Sequence, residues 1–258
     1  MKKTFSSKKS AFSLIELSIV LIIIGLLIAG VTGGASLIKS SELRSAMGEA
    51  RGYAVAVNAF YTQYNALPGD YNTSLGVPSG FTNAVGDYDA KIEFCDTTSG
   101  CGADDGTDLA GSEGAVAWQH LKFAGGIDAA PTPITGADTA QAAITNYPAS
   151  KIRAAGWGFD YNTTSLQNVV VLTQSTTQAA TTTLSLVNNS ATPTSMAVGA
   201  LVPADALSID KKIDDGIANT GKVRGINTEA DACFGTTAYT VATATKTCPI
   251  SYQVDVTS

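Results

Sequence analysis

Histidine and charged residues are scarce in this chain of 258 residues. It contains one histidine, His120, and only 15% of its residues are Asp, Glu, Lys or Arg. The sequence holds no nucleophile elbow, no H-E-x-x-H zinc-protease motif, no phosphate-binding loop and no dinucleotide fingerprint. His120 stands between Trp118 and Phe123 in "AWQHLKF", and a lone histidine on an amphipathic helix is more often a packing residue than a catalytic one. We therefore predict no enzyme activity, no catalytic residue and no cofactor.

Basic residues are also few outside the N-terminus, and the net charge of the chain is -6. Four lysines precede Ala11 with no acidic residue among them: Lys2, Lys3, Lys8 and Lys9. The basic pair Lys211–Lys212 is flanked by aspartates. Because binding to phosphates requires clustered Lys and Arg, the sequence does not support a nucleic-acid partner.

The cysteines are four, and all lie far beyond the N-terminal apolar run: Cys95, Cys101, Cys233 and Cys248. They allow three pairings, of which the short loops Cys95–Cys101 and Cys233–Cys248 are entropically easiest to close. Free buried thiols and a metal site are the alternatives, but no C-x-x-C pair occurs and His120 is remote in sequence. We predict disulfides, an oxidising compartment and no metal.

Charge is wholly missing from Leu17 to Ile38. A helix of this length spans about 33 Å, enough to cross the hydrocarbon core of a bilayer. Glu16 stands at the head of the run. Lysines before the span and an acidic body after it predict a cytoplasmic N-terminus and a body outside the cytoplasmic membrane.

The apolar run continues without a proline into an amphipathic stretch that ends before Pro68 in "NALPGDY". Apolar residues recur there at alternating spacings of four and three: Leu43, Met47, Ala50, Ala54, Val57, Tyr61 and Tyr64. The opposite face carries polar residues: Glu42, Arg44, Ser45, Glu49, Arg51 and Asn58. The pattern predicts one helix from residue 13 to about 65, with a core-facing stripe in its second half. Gly33–Gly34 is a weak point within it.

Beyond Pro68 the pattern predicts an α+β body with an antiparallel sheet. One helix is expected in "SEGAVAWQHLKFAGGI", with Ser112 as N-cap and Gly125–Gly126 as terminator. Another is expected in "LVPADALSIDKKIDDG", with Pro203 in its first turn and Gly216 closing it. The stretches "NVVVLTQ" and "TTTLSLV" are expected to form a hairpin, and "AYTVATAT" and "ISYQVDV" two further strands.

Three acidic sets and one aromatic stretch are candidate binding residues. The acidic sets are Asp210, Asp214 and Asp215; Asp104, Asp105, Asp108 and Glu113; and Asp87, Asp89 and Glu93. A solvated acidic surface is the expectation for each, with calcium as the alternative, and none has the EF-hand spacing. Trp157, Phe159 and Tyr161 in "GWGFDY" alternate as in a strand, where sheet packing is favoured over a sugar- or partner-binding surface.

The stretch "AFSLIELSIVLIIIGLLIAG" behind a lysine-bearing leader resembles the N-terminus of class III prepilins, which include type IV pilins and pseudopilins. The resemblance implies cleavage between Ala11 and Phe12, N-methylation of Phe12 and a role in assembly for Glu16. Most members have glycine where this chain has Ala11. The implied partners are a prepilin peptidase with N-methyltransferase activity, identical or related pilin subunits, and the inner membrane before assembly.

This resemblance also implies a domain organisation and a function. Residues 1–11 are a cleaved leader, 12–38 a transmembrane and polymerisation helix, 39–66 its amphipathic continuation, and 67–258 an extracytoplasmic α+β domain. The expected function is that of a structural subunit, major or minor, of a type IV pilus-like or pseudopilus filament at the cell surface or across the periplasm. The alternative is a membrane-anchored exported binding protein or enzyme that uses the helix only as a signal anchor.

Overall fold

The computed structural model describes residues 13–71, 86, 88–93, 113–128, 148–174, 186–187, 197–227 and 232–254. Its first element, α1, is a helix of 51 residues, Leu14–Tyr64, which confirms the predicted long helix. The helix ends at Asn65, whose φ of 53° is left-handed and whose N–H donates to the Tyr61 carbonyl at 2.7 Å. The chain divides into two compact units, Met1–Glu42 and Leu43–Ser258.

The second half of α1 buries an apolar stripe in the body unit. The fully buried side chains on this half are Leu43, Ala46, Ala50, Ala56, Val57 and Phe60. Met47, Tyr53, Ala54, Tyr61 and Tyr64 are partly buried against the same core. The stripe is wider than predicted, because a 3.6-residue helix facing a globular core buries more than the two positions per heptad of a coiled-coil seam.

The body contains two further helices and four strands. They are α2 (Glu113–Phe123), β1 (Ala155–Asn162), β2 (Gln167–Gln174), α3 (Pro203–Ile213), β3 (Val223–Gly225) and β4 (Ile250–Gln253). The strands form one sheet in the order β1-β2-β4-β3, and every neighbouring pair is antiparallel. The predicted α+β class is therefore confirmed.

Strand β2 lies at the centre of the core and is buried on both faces. Val170 and Leu172 join the large apolar cluster that holds the α1 stripe, whereas Val169 and Val171 join a smaller cluster on the other face. This explains the unbroken apolar run "VVVL", since a strand covered on both sides needs no polar alternation. Ile250, on β4, packs in the large cluster as well.

One predicted hairpin and one predicted strand are wrong. Strand β2 pairs with β1 on one side and β4 on the other, which leaves no edge for the expected hairpin with "TTTLSLV". Of that stretch only residues 186–187 are described, and they form a bend; residues 181–185 lie outside the described residues. "AYTVATAT" forms one bridge, Phe234–Tyr239, and then turns at 241–242. Val241 of this stretch is exposed, so the alternation had no second buried position to hold a strand.

Both predicted body helices are present. α2 stops at Phe123, and Gly125, with φ 74°, follows it, while the Gly126 N–H donates to the Leu121 carbonyl at 2.8 Å. The predicted N-cap of α2, Ser112, lies outside the described residues. α3 begins at Pro203, as expected for a residue without an N–H at the first helical position.

Candidate functional site

The head of α1 is closed by a capping box formed by Ser13 and Glu16. The Ser13 backbone N–H donates to Glu16 Oε2 at 2.9 Å, and the Ile15 N–H donates to Ser13 Oγ at 3.3 Å. Two helix-end donors are thereby satisfied, and the Glu16 carboxylate lies where the helix dipole favours negative charge. Sequence reasoning missed Ser13, although the S-x-x-E spacing signals it. Ala11 and Phe12 lie outside the described residues.

From Leu14 to Ile38, α1 exposes large apolar side chains in every direction. The exposed set is Leu14, Ile15, Leu17, Ile19, Val20, Leu21, Ile22, Ile23, Ile24, Leu26, Leu27, Ile28, Val31, Leu37 and Ile38, and even Ile24 is 45% exposed. α1 is long and apolar enough to cross a membrane. A helix that is apolar all round requires an apolar environment, which is supplied by lipid or by other helices.

Two polar side chains within this apolar run bond to the helix's own backbone. The Thr32 hydroxyl contacts the carbonyls of Ile28 and Ala29 at 3.0 and 3.1 Å, and the Ser18 hydroxyl donates to the Ile15 carbonyl at 2.9 Å. Such bonds meet the requirement that polar groups be satisfied internally in lipid. The helix continues through Gly33–Gly34, the predicted weak point, without interruption.

Glu49 ties the second half of α1 to the body, a role that the sequence did not reveal. The sequence pattern places Glu49 on the polar face of the helix, but its side chain is only partly exposed. Its Oε2 accepts hydrogen bonds from Trp157 Nε1 at 2.9 Å and from the Ser150 hydroxyl at 2.8 Å. Its Oε1 accepts the Lys151 N–H at 3.1 Å. No local signal marks these contacts, because the partners are about a hundred residues away.

The "LPGDY" motif that follows α1 forms hydrogen bonds with two other segments of the body. The Gly69 N–H donates to His120 Nδ1 at 3.0 Å, and Asp70 accepts the N–H groups of Tyr88 and Ala90 at 2.6 and 2.9 Å. Gly69 has φ 95°, and a Cβ there would lie 2.4 Å from the Glu113 carbonyl oxygen, so the position requires glycine.

His120 is a buried packing residue in this arrangement. Its ring stacks on Phe60 with centroids 5.8 Å apart, and it is 1% exposed. Burial lowers the pKa of His120 to about 4, which keeps the imidazole neutral and able to accept the Gly69 N–H. This geometry fits the predicted packing role.

The acidic set at the end of α3 is bonded to the protein's own donors. Carboxylate oxygens of Asp210, Asp214 and Asp215 lie within 4.8 Å of one another. Asp210 accepts the Tyr239 hydroxyl at 2.8 Å and the Gly216 N–H at 3.1 Å, and burial, the largest influence, raises its pKa.

The two other aspartates of this set also accept hydrogen bonds from the loop that follows α3. Asp215 accepts the Thr220 hydroxyl at 2.7 Å, which is the main reason that its pKa is lowered, and the Ile217 N–H at 2.8 Å. Asp214 accepts the Lys222 N–H. Loop donors therefore supply the compensation that carboxylates need at a helix C-terminus.

The other two acidic sets are described only in part. Asp87, Asp104, Asp105 and Asp108 lie outside the described residues. Asp89 pairs with Lys91, and Glu113 Oε2 accepts the Glu93 N–H at 3.1 Å.

A disulfide joins Cys233 to Cys248, whose Cα atoms are 4.5 Å apart and whose side chains are buried. It closes one of the two short loops considered from the sequence. Cys95 and Cys101 lie outside the described residues. A buried disulfide is typical of proteins that fold in an oxidising compartment.

The aromatic residues of β1 belong mainly to the core. Trp157 and Phe159 are buried, and the Phe159 ring lies 4.3 Å from that of Trp118. Tyr161 is half-buried, with Lys91 Nζ 5.5 Å from its ring centroid. Sheet packing, the favoured interpretation, accounts for Trp157 and Phe159.

Comparison with known proteins adds one finding. A family model described as the prokaryotic N-terminal methylation motif matches residues 6–32, the segment that contains the capping box and the start of the apolar helix. No curated protein and no solved structure matches the chain significantly. The motif points to a structural protein rather than an enzyme. With the long apolar helix and the antiparallel sheet of the body, it fits a type IV pilin-like protein.

Proposed function

We propose that the chain is the precursor of a structural subunit, major or minor, of a type IV pilus-like or pseudopilus filament. The observation that supports this most is the exposed apolar surface of Leu14–Ile38, which begins inside the N-terminal methylation motif. A prepilin peptidase cuts between Ala11 and Phe12 and methylates the new Phe12 amine. The helix then leaves the inner membrane and packs against the helices of identical or related subunits.

Glu16 has two successive partners in this proposal. In the single chain its carboxylate accepts the Ser13 N–H, as the structure has it. Cleavage creates a positive amine on Phe12, about one helical turn before Glu16. In the filament the carboxylate meets the Phe12 amine of a neighbouring subunit, and the attraction strengthens as both groups leave water.

The body decorates the filament on the outer side of the cytoplasmic membrane. Residues 39–66 continue the assembly helix into the domain formed by residues 67–258. The buried Cys233–Cys248 disulfide and the lysines ahead of the span support this orientation.

The mature N-terminus tests the proposal. Intact-mass and N-terminal peptide measurements on the protein from its own cells should find a chain that begins with N-methylated Phe12. Replacing Ala11 by lysine should block cleavage, whereas Ala11→Gly should preserve it, because the residue before the cut must be small. A wild-type chain that retains Met1, or that starts elsewhere than Phe12, would refute the proposal.

A further inference from the structure

A small cavity opens in the body between the end of β1, strand β3 and the start of the disulfide loop. Its volume is about 190 Å³, and its walls include Asn162, Val187, Arg224, Asn227 and Phe234. Among its described lining residues there is no Asp or Glu, although the chain as a whole is acidic. Arg224 is the one charged side chain among these described lining residues.

Two walls of the cavity are fixed by side chains that bond to backbone groups. Asp160 Oδ2 accepts the N–H groups of Leu186 and Val187 at 2.7 and 3.0 Å. The Asn227 amide donates to the Phe234 carbonyl and accepts the Phe234 N–H, both at 3.0 Å. The walls are thus held in place before any ligand arrives, which lowers the entropic cost of binding.

The Arg224 guanidinium forms a hydrogen bond through one of its three nitrogens. Its Nε donates to the Gly221 carbonyl at 3.1 Å, and in the described part of the chain neither Nη takes part in a hydrogen bond or ion pair. The Arg224 charge also lowers the pKa of the exposed Asp215 carboxyl, but hydrogen bonds from Thr220 and Ile217 lower that pKa more. A guanidinium held in this way presents a planar pair of donors, the geometry that binds a carboxylate with two bonds.

The remaining polar atoms of the wall suit hydroxyl groups. Asn162 Oδ1 accepts the N–H groups of Thr164 and Ser165 at 3.0 Å each, which fixes the amide and leaves Nδ2 without a partner among the described residues. Asn219 uses Nδ2 on the Thr236 carbonyl at 3.2 Å, so its Oδ1 remains as an acceptor. The Asn162 donor, the Asn219 acceptor and the aromatic residue Phe234 in the wall together suit a sugar, which carries alternating hydroxyls and an apolar face.

We propose that this cavity binds one acidic monosaccharide unit, with its carboxylate on Arg224 and its hydroxyls on Asn162 and Asn219. The volume is below the range for drug-sized ligands and accommodates a single ring. A peptide C-terminus is the less favoured carboxylate ligand, because its recognition uses clustered backbone N–H groups, whereas the polar atoms described here are side-chain amides.

Binding can be measured by calorimetry and ligand-observed NMR on the full chain in a detergent without a sugar headgroup. The probes are glucuronate, galacturonate and mannuronate, with glucose as the uncharged control. At least one uronate should bind about tenfold more tightly than glucose, the ratio expected for a charge-assisted pair.

Matched variants locate the site. Arg224→Gln should lower uronate affinity about tenfold, to the level of glucose. Lys222→Gln makes the same change in net charge two residues away, on an exposed side chain outside the cavity wall, and should leave affinity within about twofold. Arg224→Lys keeps the positive charge but loses the paired donors of the guanidinium. Its uronate affinity should lie between those of Arg224→Gln and Lys222→Gln. Thermal unfolding of each variant confirms that the fold is retained.

Several results would overturn the proposal. They are the absence of uronate binding up to about 10 mM, equal affinity for glucose, and equal losses in the variants at positions 222 and 224. An acetylated dipeptide with a free carboxylate that binds as tightly as the best uronate would also overturn it, in favour of a peptide ligand. The comparison of uronates with glucose uses the wild-type chain, so it decides the matter even if a variant fails to fold.

Discussion

The two halves of α1 differ in whether their apolar side chains are exposed or buried. Between Leu14 and Ile38 the large apolar side chains are exposed on all sides, whereas between Leu43 and Tyr64 they form one buried stripe. Phe60 is 1% exposed, but Ile23 is 51% exposed. Burial of apolar surface stabilises by about 25 cal/mol per Å², so both halves need a partner. The second half finds it in the body of the same chain, and we infer that the first half finds it outside the chain.

The sharpest way to break this comparison is to truncate one apolar residue in each half. Phe60→Ala should destabilise the body by about 3–5 kcal/mol, because it opens a cavity in the core. Ile23→Ala should change the body's unfolding free energy by less than about 0.5 kcal/mol, since its side chain is exposed. Thermal or denaturant unfolding of the full chain in detergent measures both. Equal losses would show that the first half also packs on the body.

Acid should weaken the packing of the second half of α1 against His120, whose ring stacks on Phe60. The pKa of His120 is lowered to about 4 from an ordinary 6.5, so the unfolded chain binds a proton that the folded chain excludes. Stability from this residue is complete above pH 6.5 and is lost as the pH falls towards 4, by up to about 3 kcal/mol. His120→Gln should flatten the pH dependence of the unfolding free energy in that interval. An unchanged slope would contradict the assignment of a buried neutral imidazole.

The polar face of the second half allows a finer comparison. Glu49→Ala leaves the donors of Trp157 and Ser150 without their acceptor, and we expect a loss of about 1–3 kcal/mol. Glu42→Ala, seven residues earlier, just before the second half begins, and without a side-chain hydrogen bond to any described residue, should cost less than about 0.5 kcal/mol. Unfolding free energies of the two variants give the difference. Similar values would mean that the Glu49 contacts contribute nothing to stability.

The long helix was predictable because its signals are local. The charge-free run, the amphipathic spacing and Pro68 fix its course, and the structure begins and ends it within about a residue of the prediction. Pro203 marks the start of α3 in the same way. The N-cap role of Ser13 was also predictable, because S-x-x-E before an apolar run is a capping-box signature.

Sheet pairing was not predictable in the same way, because strand partners are chosen by packing between distant segments. The sequence correctly predicts β2 as a strand. It does not predict that the neighbours of β2 are β1 and β4, the latter about eighty residues later in the chain. "AYTVATAT" has strand composition, yet it lies in the loop closed by Cys233 and Cys248 and forms a turn. The contacts of Glu49 are unpredictable for a related reason. The helical pattern places this residue on a solvated face, and only hydrogen bonds from the distant residues Trp157 and Ser150 bring its carboxylate against the body.

The most direct test of the central claim is the fate of a Glu16→Leu chain in its own cells. We measure how much of it is in the membrane and how much in the sheared filament or cross-linked assembly fraction. We expect full membrane insertion, since leucine is more apolar than glutamate, together with loss of the chain from the assembly fraction. Unchanged incorporation would contradict the account and would favour a helix that serves only as a signal anchor.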